Sequence, residues 1–187
     1  MIEIYQLKIV VKEVKPKVER VIWIKSTATF FNLHYAIQHL FGFQGGHLFE
    51  FSSARDAASI SDGEDNSRLA ERVKLCSEFK YVKKINYTYD FGNNWEFSIT
   101  LQKTLPYNDV LSYPFCISHT GGMLIEDCGG AYCYNLLAAW CRNETKATNE
   151  AVLTQFDEET LIEYDDFDPD EFDLDCLNRV IGKNHNH

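Results

Sequence analysis

Ile85-Asn86-Tyr87-Thr88-Tyr89-Asp90-Phe91-Gly92-Asn93-Asn94-Trp95-Glu96-Phe97-Ser98-Ile99-Thr100-Leu101 is the stretch whose reading decides the fold. On its first arm Ile85, Tyr87 and Tyr89 alternate with Asn86, Thr88 and Asp90. On its second, Trp95, Phe97, Ile99 and Leu101 alternate with Glu96, Ser98 and Thr100. A period of two sends successive side chains to opposite faces of a strand, so each arm has an apolar and a polar face. Between the arms lies Phe91-Gly92-Asn93-Asn94, and Gly and Asn tolerate the positive φ that tight turns demand. The spacing predicts a β-hairpin with one aromatic-rich face.

Upstream, the apolar run from Ile2 to Val11 suits a strand buried on both faces. Val14-Lys15-Pro16-Lys17 supplies a turn, and Val18, Ile22 and Ile24 mark a second strand, interrupted on that face by Arg20. Ser26 to Thr29 offers capping hydroxyls for a helix whose Phe30, Leu33, Ile37, Leu40 and Phe41 recur at three- and four-residue steps, with Gly42 as its stop. A third strand is predicted at His47-Leu48-Phe49-Glu50-Phe51, giving a strand–strand–helix–strand order analogous to a β-grasp. Residues 52–66, rich in Ser, Ala, Asp and Gly without a period, read as a mobile loop, and a short element is expected at Leu75–Tyr81.

Downstream of Pro106 the pattern is irregular apart from the apolar run Tyr113–Ile117. After Gly129-Gly130, the residues Tyr132, Leu136, Leu137 and Trp140 set a helical period. One or two short helices are expected over 148–164. Asp168-Pro169-Asp170-Glu171-Phe172-Asp173 is read as the start of a last helix, with Pro169 near its first position and acids in its first turn, and with Leu174, Leu177 and Ile181 facing the core. The expected fold is a single α+β domain over residues 1–187. A largely antiparallel, mixed sheet is covered by helices, the C-terminal region is helical, and 183–187 form a tail.

The 187 residues suffice to bury a sizeable core, with 45% hydrophobic and 14% aromatic side chains. The formal charge of −10 disfavours nucleic acid as a direct partner, because a net negative surface repels phosphate backbones. The charge is uneven: residues 151–187 carry eleven acids against Arg179 and Lys183. Such a stretch is a solvated face first and a docking surface for a basic partner second. The six cysteines form no Cys-x-x-Cys pair, so a zinc knuckle is poorly supported and buried thiols in a reducing, cytoplasmic setting are expected. The N-terminus shows no apolar leader and no run is long enough for a membrane span.

The run from Tyr87 to Phe97 resembles the Tyr-x-Tyr-Asp-Phe-Gly-Asp-x-Trp-x-His signature of the Ri-plasmid ORF-3-like family. The likeness continues through Glu126-Asp127-Cys128-Gly129-Gly130 and Tyr134, and upstream through Leu33-His34 and His47-Leu48-Phe49-Glu50-Phe51. It ends with Phe167-Asp168-Pro169-Asp170-Glu171-Phe172-Asp173 and Asn178-Arg179. The chain departs from the family at several positions. Asn93 replaces an Asp, Phe97 a His, Leu124-Ile125 a Pro-Pro and Cys133 a Gly, while Arg20 alone remains of a Trp-Arg-Arg. The resemblance implies an α+β fold and association with plasmids and insertion elements. It brings no established reaction, so no catalytic role is carried over.

Tyr89, Asp90, Asn93, Trp95, Glu126, Asp127, His47 and Tyr134 are the candidate binding residues, and no catalytic residue is assigned. Asp90, Glu126 and Asp127, with His34 or His47, could hold Mg²⁺ or Mn²⁺, since hard cations take several oxygen ligands. Against this, Asp90 could accept hydrogen bonds from turn amides and Asp127 could cap the helix after Gly130. Gly129-Gly130 lacks the Lys-Ser/Thr of a P-loop. Cys128 stands beside two acids, which disfavours a thiolate. Six scattered Arg do not equip a self-sufficient recombinase. Tyr87, Tyr89, Phe91, Trp95 and Phe97 could stack single-stranded bases, although aromatics alternating on one face are usually core. The sequence therefore favours a non-enzymatic interaction module, linked to mobile elements, with a protein partner and no cofactor. A metal-dependent, hydrolase-like enzyme comes second and single-strand binding third.

Overall fold

The structure, a computed structural model, describes residues 2–63, 67–142 and 146–181; the tail expected at 183–187 lies outside them. The predicted hairpin forms from β6 (Lys84–Tyr89) and β7 (Trp95–Pro106). Their register sets Tyr89 opposite Trp95, Tyr87 opposite Phe97 and Ile85 opposite Ile99, so all six fall on one buried face. Directly opposed aromatic pairs of this kind are the unit of sheet stabilisation.

Around this hairpin the described residues build a sheet in the order β5-β4-β3-β6-β7-β1-β2-β8. The remaining strands are β1 (Glu3–Val11), β2 (Glu19–Lys25), β3 (Phe49–Ser53), β4 (Asp56–Ser61), β5 (Arg68–Leu69) and β8 (Phe115–Thr120). Every pairing is antiparallel except β4 with β5, which is parallel. Between β2 and β3 the chain crosses through α1 (Phe30–Phe41), and β6, β7 and β1 fill the gap between those two strands. The β-grasp analogy therefore holds for the order of elements but not for their neighbours in the sheet.

Two strand expectations need correction. In β1, Tyr5, Leu7, Ile9 and Val11 are buried while Gln6, Lys8 and Val10 are only half-buried, because the helices cover one face of the sheet. Both-face burial would need a second helical layer. Most of 52–63 is no loop: Ser52 and Ser53 complete β3 and Asp56–Ser61 form β4, with Phe51 paired to Ile60, and only 54–55 and 62–63 lie outside the strands. Ser and Ala hide this strand from a hydrophobic period, because pairing through the backbone asks little of the side chains. The rest of that expected loop, 64–66, lies outside the described residues.

Helix α1 carries the predicted stripe, with Phe30, Leu33, Ile37, Leu40 and Phe41 all buried against the sheet. Its ends follow local chemistry. Thr29 and Asn32 form a reciprocal capping box, and Gly42 closes the helix in the left-handed region at φ 86°. The short α2 (Leu75–Phe79) follows β5. The C-terminal third is helical as expected, with α3 (Gly130–Cys141), α4 (Lys146–Gln155), α5 (Glu158–Glu163) and α6 (Leu174–Ile181).

The last helix starts later than the sequence suggests. Asp173, not the segment around Pro169, caps α6 by accepting from Cys176 N at 2.8 Å. Leu177 and Ile181 are buried as predicted, and Leu174 packs against the same core. Asn178 then binds both backbone groups of Cys116, accepting from its N–H at 2.7 Å and donating to its carbonyl at 2.9 Å. A side-chain amide thus completes part of the open edge of β8, where unpaired strand groups would otherwise face outward.

Candidate functional site

The left-handed residues of the β6–β7 turn are Asp90 (φ 54°) and Asn94 (φ 51°), not Gly92. Asp90 compensates with its own side chain: Oδ1 accepts from the N–H groups of Gly92 (3.0 Å) and Asn93 (3.3 Å), and Oδ2 accepts from Asn93 Nδ2 at 2.6 Å. The turn-amide role is therefore real, and Asn93 acts as a donor where an Asp could not.

Beneath this turn lies the second segment of interest. Gly130 has φ 80°, and a Cβ there would run into the carbonyl oxygen of Asn93, so only glycine permits the approach. Gly129 (φ 98°) is equally constrained, since a Cβ would stand 2.7 Å from Cys133 Sγ. The pair is a tight packing joint and serves as the entry to α3, whose N-cap Gly129 provides no side-chain cap. Asp127 does not cap this helix.

Glu126 is buried and joins three segments. Its Oε1 accepts from the Tyr89 hydroxyl, its Oε2 accepts from Gln44 N at 2.8 Å, and its carbonyl accepts from Trp95 Nε1 at 3.0 Å. Tyr89 Oη in turn accepts from His47 N at 3.3 Å. Burial and the neighbouring Glu126 carboxylate push the Tyr89 phenol well above its usual range. The network fixes the segment before β3 against the hairpin, and Asp90 N donates to Leu48 O at 2.9 Å alongside it.

His47 stands two residues ahead of β3 rather than in it. Its Nε2 is 3.1 Å from Asp127 Oδ1 and 3.9 Å from Asp90 Oδ2. One ligand atom from each of His47, Asp90 and Asp127 lies within 4.8 Å of the other two. The side chains of His47 and Asp127 are 38% and 70% exposed and that of Asp90 is 8% exposed, so the cluster opens to solvent from a fixed floor. An imidazole and two carboxylates suit borderline divalent ions such as Mn²⁺ or Zn²⁺ better than Mg²⁺. The expected trio of Asp90, Glu126 and Asp127 is thus altered, because Glu126 turns inward and His47 takes its place.

Other candidates fall inside the core. Tyr89, Trp95 and Tyr134 are buried, and Tyr134 donates to Met123 O at 3.2 Å. His34 stacks on Phe49 at 3.8 Å between ring centroids, with Nδ1 2.8 Å from the Tyr87 hydroxyl. Desolvation lowers its pKa to about 4, so it is a neutral core residue. The aromatic platform for single-stranded bases is not available: Tyr87, Tyr89, Trp95 and Phe97 are all buried, and only Phe91 is exposed. Phe97 packs edge-on against Phe41, filling with an apolar ring a place where an imidazole would need a partner. Burial raises the thiols of Cys116 and Cys128 to about 11 and about 12, away from nucleophilic use.

Sequence reasoning missed the role of Arg20. It is fully buried in β2 and donates to the carbonyls of Leu40, Glu19, Thr120, Gly121 and Gly122. Its guanidinium lies 4.0 Å from the Phe172 ring centroid and 5.0 Å from that of Phe41. Desolvation lowers its pKa to about 10, which leaves it charged near neutrality. The signal was its parity, since Arg20 sits on the same strand face as Val18, Ile22 and Ile24.

The contacts join the separated pieces of sequence that carried the resemblance, and comparison with known proteins agrees. A 32% identical relative over 135 residues is the uncharacterized protein y4hQ of Sinorhizobium fredii (strain NBRC 101917 / NGR234), matched over 70% of this chain and 69% of that protein. The crystal structure of MM3350, a protein of unknown function from Methanosarcina mazei Go1, superposes with a TM-score of 0.78. It is 30% identical, with 94% of this chain and 98% of that one covered. The family model described as plasmid pRiA4b ORF-3-like protein matches residues 3–176. The chain belongs to the plasmid pRiA4b ORF-3-like protein family.

Proposed function

We propose that the protein is a cytoplasmic binding module that takes a divalent cation at His47, Asp90 and Asp127 and engages a protein partner there. The observation that carries this reading is the convergence of two separate segments on the His47 imidazole, whose Nε2 lies 3.1 Å from Asp127 Oδ1 and 3.9 Å from Asp90 Oδ2. Beside the cluster, Leu48 and Phe91 are exposed and line a cleft of about 190 Å³. They offer apolar contact next to the charge, and interfaces combine such anchors with a polar rim. Two neighbouring groups are withdrawn from acid–base or nucleophilic chemistry: both Glu126 oxygens accept hydrogen bonds, and burial holds the Cys128 thiol protonated. All six cysteines are free thiols, in keeping with a reducing compartment. Among the described residues no helix is long and apolar enough to cross a membrane. The plasmid in the family's description supports a role beside mobile genetic elements.

Thermal melts of chelator-treated protein test the reading. Zn²⁺ or Mn²⁺ at about 100 times its dissociation constant should stabilise the fold by about 2.7 kcal/mol, with Mg²⁺ weaker. His47→Ala and Asp127→Ala should abolish the shift. Asp90→Ala is a poorer probe because it also removes the carboxylate that shapes the turn. No shift with any of the three ions, or a shift that survives both variants, overturns the cation site. A second reading, metal-dependent hydrolysis, is favoured only by the exposure of the cluster, which leaves coordination positions for water. It requires Mn²⁺- or Zn²⁺-dependent turnover of a phosphoester or carboxylic ester that His47→Ala removes.

A further inference from the structure

A second charged cluster shares no residue with the cation site. It occupies a cleft of about 420 Å³ between the β3–β4 turn, β5 and α2. Arg55, Arg68, Arg72, Lys74 and Lys80 line it, against the single carboxylate of Glu78. On a chain of charge −10 this is a concentrated reversal of sign. Glu78 lies at the floor with its side chain 2% exposed, accepting from Arg68 Nη1 at 2.8 Å and from Arg55 Nη1 at 3.3 Å. Its charge is thus committed to two guanidiniums and fixes their orientation. Arg72, Lys74 and Lys80 form no ion pair among the described residues and stand exposed at the rim. At the mouth Tyr81 is exposed, with the Arg55 guanidinium 3.9 Å and Lys80 Nζ 4.7 Å from its ring centroid.

We propose that this cleft binds a nucleoside phosphate, with the phosphates among the cations and the base against the Tyr81–Arg55 stack. Its volume falls within the range of small-molecule sites. Guanidinium groups held in place by a buried carboxylate match the donor geometry that phosphate oxygens require. An exposed aromatic ring carrying a stacked guanidinium is a surface on which planar bases stack. The sum of rim charges, rather than one contact, sets the affinity, so binding weakens as salt screens it.

Isothermal titration of the full chain in the presence of a metal chelator tests this with the cation site silent. The probes are inorganic phosphate, pyrophosphate, AMP, ATP and a short single-stranded oligonucleotide. The expected result is saturable binding of one ATP per chain, tighter than AMP and tighter than pyrophosphate. Arg72→Ala and Lys74→Ala should each lower that affinity by roughly tenfold. Both residues are exposed, so the variants should melt like the parent, and Lys8→Ala on the open sheet face should bind as the parent does. Absence of saturable ATP binding overturns the proposal, as does binding indifferent to both variants. Pyrophosphate binding as tight as ATP removes the base from it. Binding of the oligonucleotide alone replaces it with a nucleic-acid surface.

Discussion

At the scale of single residues, close approach and burial decide more than chemical type. Gly130→Ala should destabilise the protein by about 2 to 3 kcal/mol, because φ 80° and the Asn93 carbonyl both oppose a Cβ. Gly46→Ala, with open space around it, should stay within about 0.5 kcal/mol in the same thermal melts. His34 supplies a pH-dependent test. Its folded pKa of about 4 lies below the unfolded value near 6.5, so the folded state binds fewer protons between those values. Stability from this group is complete above about pH 6.5 and falls by about 3 kcal/mol as pH drops toward 4. The difference in stability between the parent and His34→Gln should narrow by that amount over the same window. Equal pH slopes would remove His34 from the account. At this scale the sequence was partly legible. Asp90 as an acceptor of turn amides could be read from its place beside Gly92 and Asn93. The inward turn of Glu126 could not, because it depends on Tyr89 and Gln44, which are distant in sequence.

At the scale of elements, Arg20 ties the end of α1, the end of β8 and the loop carrying Phe172 to β2. Its five carbonyl partners are satisfied only by a planar, multiply donating cation. Arg20→Lys should therefore cost about 2 to 4 kcal/mol despite keeping the charge, and Arg20→Met at least as much, by chemical denaturation. Equal stability of Arg20→Lys and the parent would contradict that role. Elements with strong periodicity are legible in the sequence: the β6–β7 hairpin, and α1 with its capping hydroxyls and Gly42 stop. The one or two short helices expected over 148–164 without a marked period correspond to α4 and α5, which begin two residues earlier. β4 was missed because Ala and Ser carry no period and its pairing with β3 is a backbone matter. The start of α6 was misplaced because the segment 168–173 offers several acids, and only Asp173 meets the right N–H.

At the scale of the whole molecule, the acidic excess is partly structural. Asp157 caps α5 by accepting from Thr160 N at 2.8 Å, Asp173 caps α6, and Asp170 holds Arg142 through two bonds of 2.8 and 2.9 Å. Charge counting revealed the asymmetry but not the division between capping acids and free ones, nor the basic cleft around Glu78, whose residues are scattered from 55 to 80. The candidate site was legible as an inventory, since His47, Asp90 and Asp127 were all singled out. The exchange of Glu126 for His47 was not, because it depends on how the segment before β3 crosses the turn. The cation site is tested most directly by substoichiometric Mn²⁺ in an amide NMR spectrum, where paramagnetic broadening marks the nearest residues. The prediction is that signals from 45–48, 90–94 and 126–130 broaden first, and that His47→Ala restores them. Broadening that begins instead in the acidic stretch 157–175, or that His47→Ala leaves unchanged, would contradict the account.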